Sequence, residues 1–178
     1  MLNEALNRDY EIIEGVKFIM SPSASPYHNN VMGKLYNVIS TYVYHNKCGY
    51  VFTDSLDVHL PDGNLFKPDL TVVKYENAAI INWQSGIYGV PDMVVEVLSK
   101  STKKKDLTVK KDIYEKNGVK EYWIIDPWAK GVTVYLLRDG KFELDDEEKA
   151  AVKPEIKVSI FDDLFIKVDD IFSWGYDI

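Results

Sequence analysis

Hydrophobic residues recur along this chain with two periods, one helical and one of strand type. Val31, Leu35, Val38, Ile39 and Tyr42 fall at three- and four-residue spacing, on one face of a helix from about Tyr27 to Tyr44. Ser25 stands where an N-cap is wanted and Pro26 in the first turn, after the Ser21–Pro26 loop. Elsewhere the apolar residues come in short runs of strand length. Tyr10–Ile13 and Val16–Met20 flank Glu14-Gly15, a hairpin signature. Tyr50–Thr53, Leu56–Leu60 and Asp69–Val73 follow as strands, with Pro61-Asp62-Gly63-Asn64 as a turn. Met93–Leu98 is almost continuously apolar, as in a central strand covered on both faces. Ser99–Lys105 reads as a polar loop and Asp106–Asn117 as a helix stopped by Gly118. Glu121–Asp126 and Val132–Leu137 are two more strands, joined through Pro127 and Gly131. Lys74–Tyr88 follows neither period and reads as a loop or flap, and the tail is β-rich with a short element at Val168–Phe172.

Hairpin, helix, strands, helix, strands is the order of an α/β fold: a mixed β-sheet flanked by helices, one on each face, with an N-terminal β-hairpin. Met93–Leu98, the following helix and Glu121–Asp126 have the form of a crossover between parallel strands. Neither a repeat nor a long linker divides the chain, so residues 1–178 are expected to form one domain.

At 178 residues, 46% hydrophobic, the chain can bury a sizeable core. No apolar stretch approaches a membrane span, and the first residues do not have the shape of a signal peptide. Cys48 is the single cysteine, which excludes an intrachain disulfide and a cysteine zinc cluster and makes a cytoplasmic location the expectation. The net charge of −7 argues weakly against nucleic acid, but the charge is unevenly placed. Residues 100–120 hold eight lysines against three acids, while residues 139–178 hold twelve acids against five lysines. The acidity belongs to the C-terminal segment, and a local basic patch lies beside the central strand.

Glu96 interrupts that strand, and an acid there is costly to bury unless something pairs it. Asp92 is the nearest candidate partner and faces the same side, but four residues of strand separate the two by about 13 Å. A hard divalent cation holds its oxygens at about 2.0–2.5 Å, so one ion does not span that gap. Asp69, in Lys67-Pro68-Asp69, opens a different strand, and strands about 4.8 Å apart let the two carboxylates converge. Asp69 with Glu96 therefore suits Mg2+ or Mn2+, with the backbone carbonyl of Val97 as a third oxygen ligand. Such an ion polarises a phosphate and acidifies a bound water. A lysine is then wanted near the attacking water. Leu98, two residues beyond Glu96, supplies none. Asp106, Lys110 and Tyr114 share one stripe of the next helix, and Lys110 points toward the end of the preceding strand. Lys111 lies further round and reads as solvated.

These residues resemble the PD-(D/E)XK superfamily, and more closely a bacterial family labelled "putative restriction endonuclease", formerly a domain of unknown function. The matching pieces are YEIIEG at Tyr10–Gly15, SPSASPYH at Ser21–His28, KPDLTVV at Lys67–Val73 and PDMVVEVLSKST at Pro91–Thr102. DLTVKKDIYEKNGVKEYWIIDP at Asp106–Pro127 and the ending SIFDDL at Ser159–Leu164 complete them. The resemblance implies a restriction-endonuclease-like fold, Asp69 and Glu96 as metal ligands, and a superfamily lysine moved from the Leu98 position to Lys110. Glu11 and His28 also match family positions. Glu11 reads either as a further acid of the site or as a hairpin surface residue. His28 reads as a phosphate or water contact or as a local hydrogen bond at the helix start. Thr102 reads as a cap of the next helix.

The expected function is metal-dependent endonuclease action on DNA, with the 100–111 lysines meeting the backbone. The alternative is a non-catalytic nucleic-acid- or protein-binding module that keeps the nuclease fold. A tail rich in Phe and Ile, with Trp174, is a candidate homodimer surface, since cutting two strands needs two sites.

Overall fold

A computed structural model describes residues 10–20, 25–53, 56–99, 103–145 and 154–173. Trp174 and Thr102 lie outside these residues. The chain order is β1 (Tyr10–Ile13), β2 (Val16–Ile19), α1 (Pro26–His45), β3 (Gly49–Thr53), β4 (Val58–His59), β5 (Leu65–Phe66) and β6 (Leu70–Lys74). A 3-10 segment at Tyr75–Ile80 leads to β7 (Ile81–Asn82), β8 (Gly86–Tyr88) and β9 (Met93–Val97). A helical stretch over 103–117 is followed by β10 (Glu121–Asp126), β11 (Gly131–Arg138), β12 (Lys141–Leu144), β13 (Glu155–Lys157), β14 (Phe165–Lys167) and a short helix at Val168–Phe172.

Two six-stranded sheets carry the architecture, ordered β12-β11-β10-β9-β6-β3 and β2-β1-β5-β4-β8-β7. The first is mixed: β9 and β10 run parallel across the helical crossover, while β6 pairs antiparallel to β9. Alternation along β9 assigns its two faces. Met93, Val95 and Val97 pack with Val31, Leu35 and Ile39 of α1 and with Phe161, Ile171 and Phe172 of the C-terminal segment. Val94 and Leu98 point the other way, to Phe66 and Ile87 of the second sheet and Ile113 and Tyr114 of the 103–117 helix. Each face of β9 is thus covered by a helix, which is why its sequence shows no polar alternation.

The ends of the elements follow local chemistry. Ser25 caps α1, its side chain accepting from the His28 amide at 3.2 Å, with Pro26 in the first turn. Gly118 stops the second helix in a left-handed conformation (φ 90°). Two readings from the sequence change. Residues 74–88 contain the 3-10 segment and strands β7 and β8, and β5 was not foreseen at all. These strands are two or three residues long, too short for alternation to show. Lys103–Lys105, expected in a loop, already form helix. Among the described residues no helix is long and apolar enough to cross a membrane.

A buried acid ties the C-terminal segment to the central sheet. Glu121 of β10 accepts from the Trp123 indole at 2.7 Å and from the amides of Ser159 and Ile160 at 3.0 and 2.8 Å. Burial pushes its pKa above the ordinary value, against the pull of those donors. Glu121→Ala strands the buried Trp123 donor and removes the acceptor of two part-buried amides, and we expect a loss of about 3 kcal/mol. Urea unfolding measures it; a change within 0.5 kcal/mol, about the surface-mutation range, would mean the segment is held by apolar packing alone.

Candidate active site

Antiparallel pairing of β6 with β9 aligns Leu70 with Val95, Thr71 with Val94 and Val72 with Met93. Continuing that register by one residue sets Asp69 opposite Glu96, and side chains so placed lie about 5 Å apart at Cβ. Asp69 Oδ2 accepts from the Val97 amide at 2.6 Å, so the acid is pinned to the strand beside Glu96. Its Oδ1 lies 3.0 Å from His28 Nε2. The N-terminal turn of α1, fixed by the Ser25 cap, therefore reaches across to the same point.

From the other side comes Lys110. The 103–117 helix widens to π-type bonding over Asp106–Lys110, an irregularity common at functional sites. Lys110 Nζ lies 2.7 Å from Glu11 Oε1, 2.9 Å from Glu96 Oε1 and 3.5 Å from Asp106 Oδ1, with its side chain only 3% exposed. One turn on, the Tyr114 hydroxyl donates to Glu96 Oε1 at 3.1 Å. Tyr122 of β10 donates to the Asp106 carbonyl at 3.0 Å, closing the floor.

Burial by itself disfavours the Lys110 charge, but Glu96, Glu11 and Asp106 outweigh it and hold the ammonium above the usual lysine range. Glu96 is under opposite pressure. Burial drives its pKa up, Lys110 pulls it down, and Asp106, Asp69 and Glu11 drive it up again; it ends well above the ordinary value. Burial also raises the Tyr114 hydroxyl, with help from Glu96, so Tyr114 serves as a donor.

Asp69, Glu96, Val97 and Lys110, singled out in the sequence, thus lie together. Glu11 is a buried site residue rather than a hairpin surface one, and His28 contacts Asp69. The stripe Asp106–Lys110–Tyr114 brings three groups to the site where only its lysine was assigned a role; the i, i+4 spacing held that information. Asp92 lies apart from this group and contacts none of it. It is buried, and it accepts from the Lys74 amide at 2.8 Å and from Lys120 at 2.7 Å. Lys111, read as solvated, leans over the Tyr135 ring at 5.1 Å.

Among the described residues no three or more His, Cys, Asp or Glu side chains converge as an ion cage. A site of two carboxylates and a backbone carbonyl does not require one. The donor chemistry fits a hard divalent cation. Glu11, Glu96 and Asp106 share a single lysine, and Asp69 adds further negative charge to Glu96. Lys110 and Tyr114 both engage Glu96 through Oε1, leaving Oε2 outside those bonds. All the acids offer hard oxygen donors.

No curated protein matches the chain. A solved structure, described as a putative nuclease belonging to DUF820 from Anabaena variabilis ATCC 29413, superposes with a TM-score of 0.74 at 24% identity. The match covers 96% of this chain and 94% of that one, so the two share their fold, the restriction-endonuclease-like α/β architecture. Residues 2–158 match the Uma2 family, described as "Putative restriction endonuclease". With nearly the whole chain matched, including both strands and the helix that build the site, the protein belongs to the Uma2 family.

Proposed function

We propose that the chain acts as one divalent-metal-dependent endonuclease domain that hydrolyses phosphodiester bonds of DNA. The observation that supports it most is the placement of Asp69 opposite Glu96, with a buried lysine holding one oxygen of Glu96. Asp69, Glu96 and the Val97 carbonyl would hold Mg2+ or Mn2+. Bound there, the ion supplies Lewis-acid stabilisation of charge on the phosphate.

The chain's own groups do the rest. Lys110 fixes the Glu96 carboxylate and sets positive charge beside the reacting phosphate, where it supports the attacking water. Glu11 and Asp106 hold the ammonium in place. His28 orients Asp69 from the side opposite the Val97 amide. In the reaction a water oxygen bonds to phosphorus as the bond to the leaving oxygen breaks; the water's proton passes to solvent, and the leaving oxygen takes a proton from solvent to depart as a hydroxyl.

The overall charge of −7 favours a second reading, a binding module without catalysis. Asp69→Ala and Glu96→Ala separate the two. We expect each to lower Mg2+-dependent cleavage of plasmid DNA by more than about 100-fold and to remove Mn2+ binding in calorimetry. Wild-type protein that binds no Mn2+ would support the second reading.

Glu96 also predicts a pH-dependent stability. Its folded pKa is raised, so below the ordinary glutamate value of about 4.3 it is protonated in both states and costs nothing. As pH rises toward the folded value, the unfolded state releases the proton first and stability falls. Metal-free Glu96→Gln should therefore melt roughly 2–5 °C higher than wild type at pH 7, with the difference closing at pH 4. A lower melting point at pH 7 would show that the attraction of Lys110 outweighs the cost of burial.

A further inference from the structure

We infer that Tyr27 and Trp128 form a base-stacking platform for unpaired DNA at the mouth of the Asp69–Glu96 site. The inference rests on the nuclease reading above and specifies its substrate class. Tyr27 is the residue before His28, whose Nε2 is 3.0 Å from Asp69, so its backbone is one residue from the site. Trp128 approaches it from β10. That strand runs beside β9 with Ile125 paired to Val97, and the chain turns immediately beyond Asp126. The two rings meet with centroids 6.4 Å apart and planes tilted by 50°.

Both rings are half exposed, at 50% and 51%. Such exposure is not a by-product of a loose turn. Asp126 Oδ1 accepts from the amides of Trp128 and Ala129, each at 3.0 Å, and Oδ2 takes Lys103 Nζ at 3.1 Å. The turn is pinned on both sides, and it presents an indole to solvent. Aromatic faces held in this way stack nucleobases whatever their sequence.

The surroundings select the same ligand. Lys103 is anchored to the turn, and Lys104 and Lys130 are exposed beside it, in position to meet phosphates. A base within a duplex does not offer its face, whereas a base in a single strand, a loop, a frayed end or a flipped position does. A platform next to the proposed scissile position therefore favours unpaired over paired DNA.

The test is fluorescence anisotropy on the full chain with Ca2+ in place of Mg2+, using a labelled single-stranded oligonucleotide and its duplex at one fixed salt concentration. Wild type should prefer the single strand. Tyr27→Ala with Trp128→Ala should weaken single-strand binding by roughly 10- to 100-fold and leave duplex binding within about two-fold, while Trp128→Phe, which keeps a ring, should retain most of it. The melting temperature of each variant checks its fold. Unchanged single-strand binding, an equal loss for both DNA forms, or a wild-type dimer that dissociates in the double variant overturns the platform. If wild type cleaves DNA but binds the two forms equally, the platform falls and the nuclease reading stands. If wild type neither binds nor cleaves either form, both fall.

Discussion

The ammonium group of Lys110 is the point on which the arrangement turns. It is buried, and it stays charged because Glu11, Glu96 and Asp106 surround it. Those acids come from β1, from β9 and from the helix that carries Lys110, so the hairpin, the central sheet and the crossover helix must all be docked before the charge is satisfied. Buried ion clusters of this kind seldom gain stability over an apolar core, because desolvation costs about as much as attraction returns. Glu96 shows the imbalance, its pKa driven up by burial and by its acidic neighbours.

The direction of one strand decides which of two similar dipeptides reaches Glu96. Pro68-Asp69 and Pro91-Asp92 each open an apolar strand, and from sequence they look alike. Because β6 and β9 are antiparallel, the start of one lies at the end of the other. Asp69 therefore meets Glu96, near the end of β9. Asp92, at the opposite edge, meets the Lys74 amide and Lys120 and becomes structural. Glu121 takes a comparable structural role on the next strand, with three donors and no lysine.

Most of the larger elements were legible because their signals are local. The helical face of Val31, Leu35 and Ile39 and the apolar run of β9 each follow from a repeat that one element contains. The crossover from β9 to β10 was legible for the same reason, since a strand, a helix and a strand of suitable length leave few alternatives. Strands β5, β7 and β8 were hidden because two or three residues hold no period, and they form only where neighbours supply partners. The π-type turn at Asp106–Lys110 was equally invisible, since an ordinary helical stripe and a π turn place the same residues on nearly the same face.

The sequence by itself determined the residues of the candidate site and their order: an acid opening one strand, an acid inside the next, and a lysine one helix later. It also excluded Asp92, because strand geometry sets distances within a single element. Only the tertiary structure decided what Glu11, His28, Asp106 and Tyr114 contact, and that the lysine is shared among three acids. Apart from Asp106 with Lys110, which one helix spaces at i, i+4, those contacts cross between separate elements. Spacing along a sequence carries no information about the cross-element ones, because packing alone sets which side chains share a buried volume.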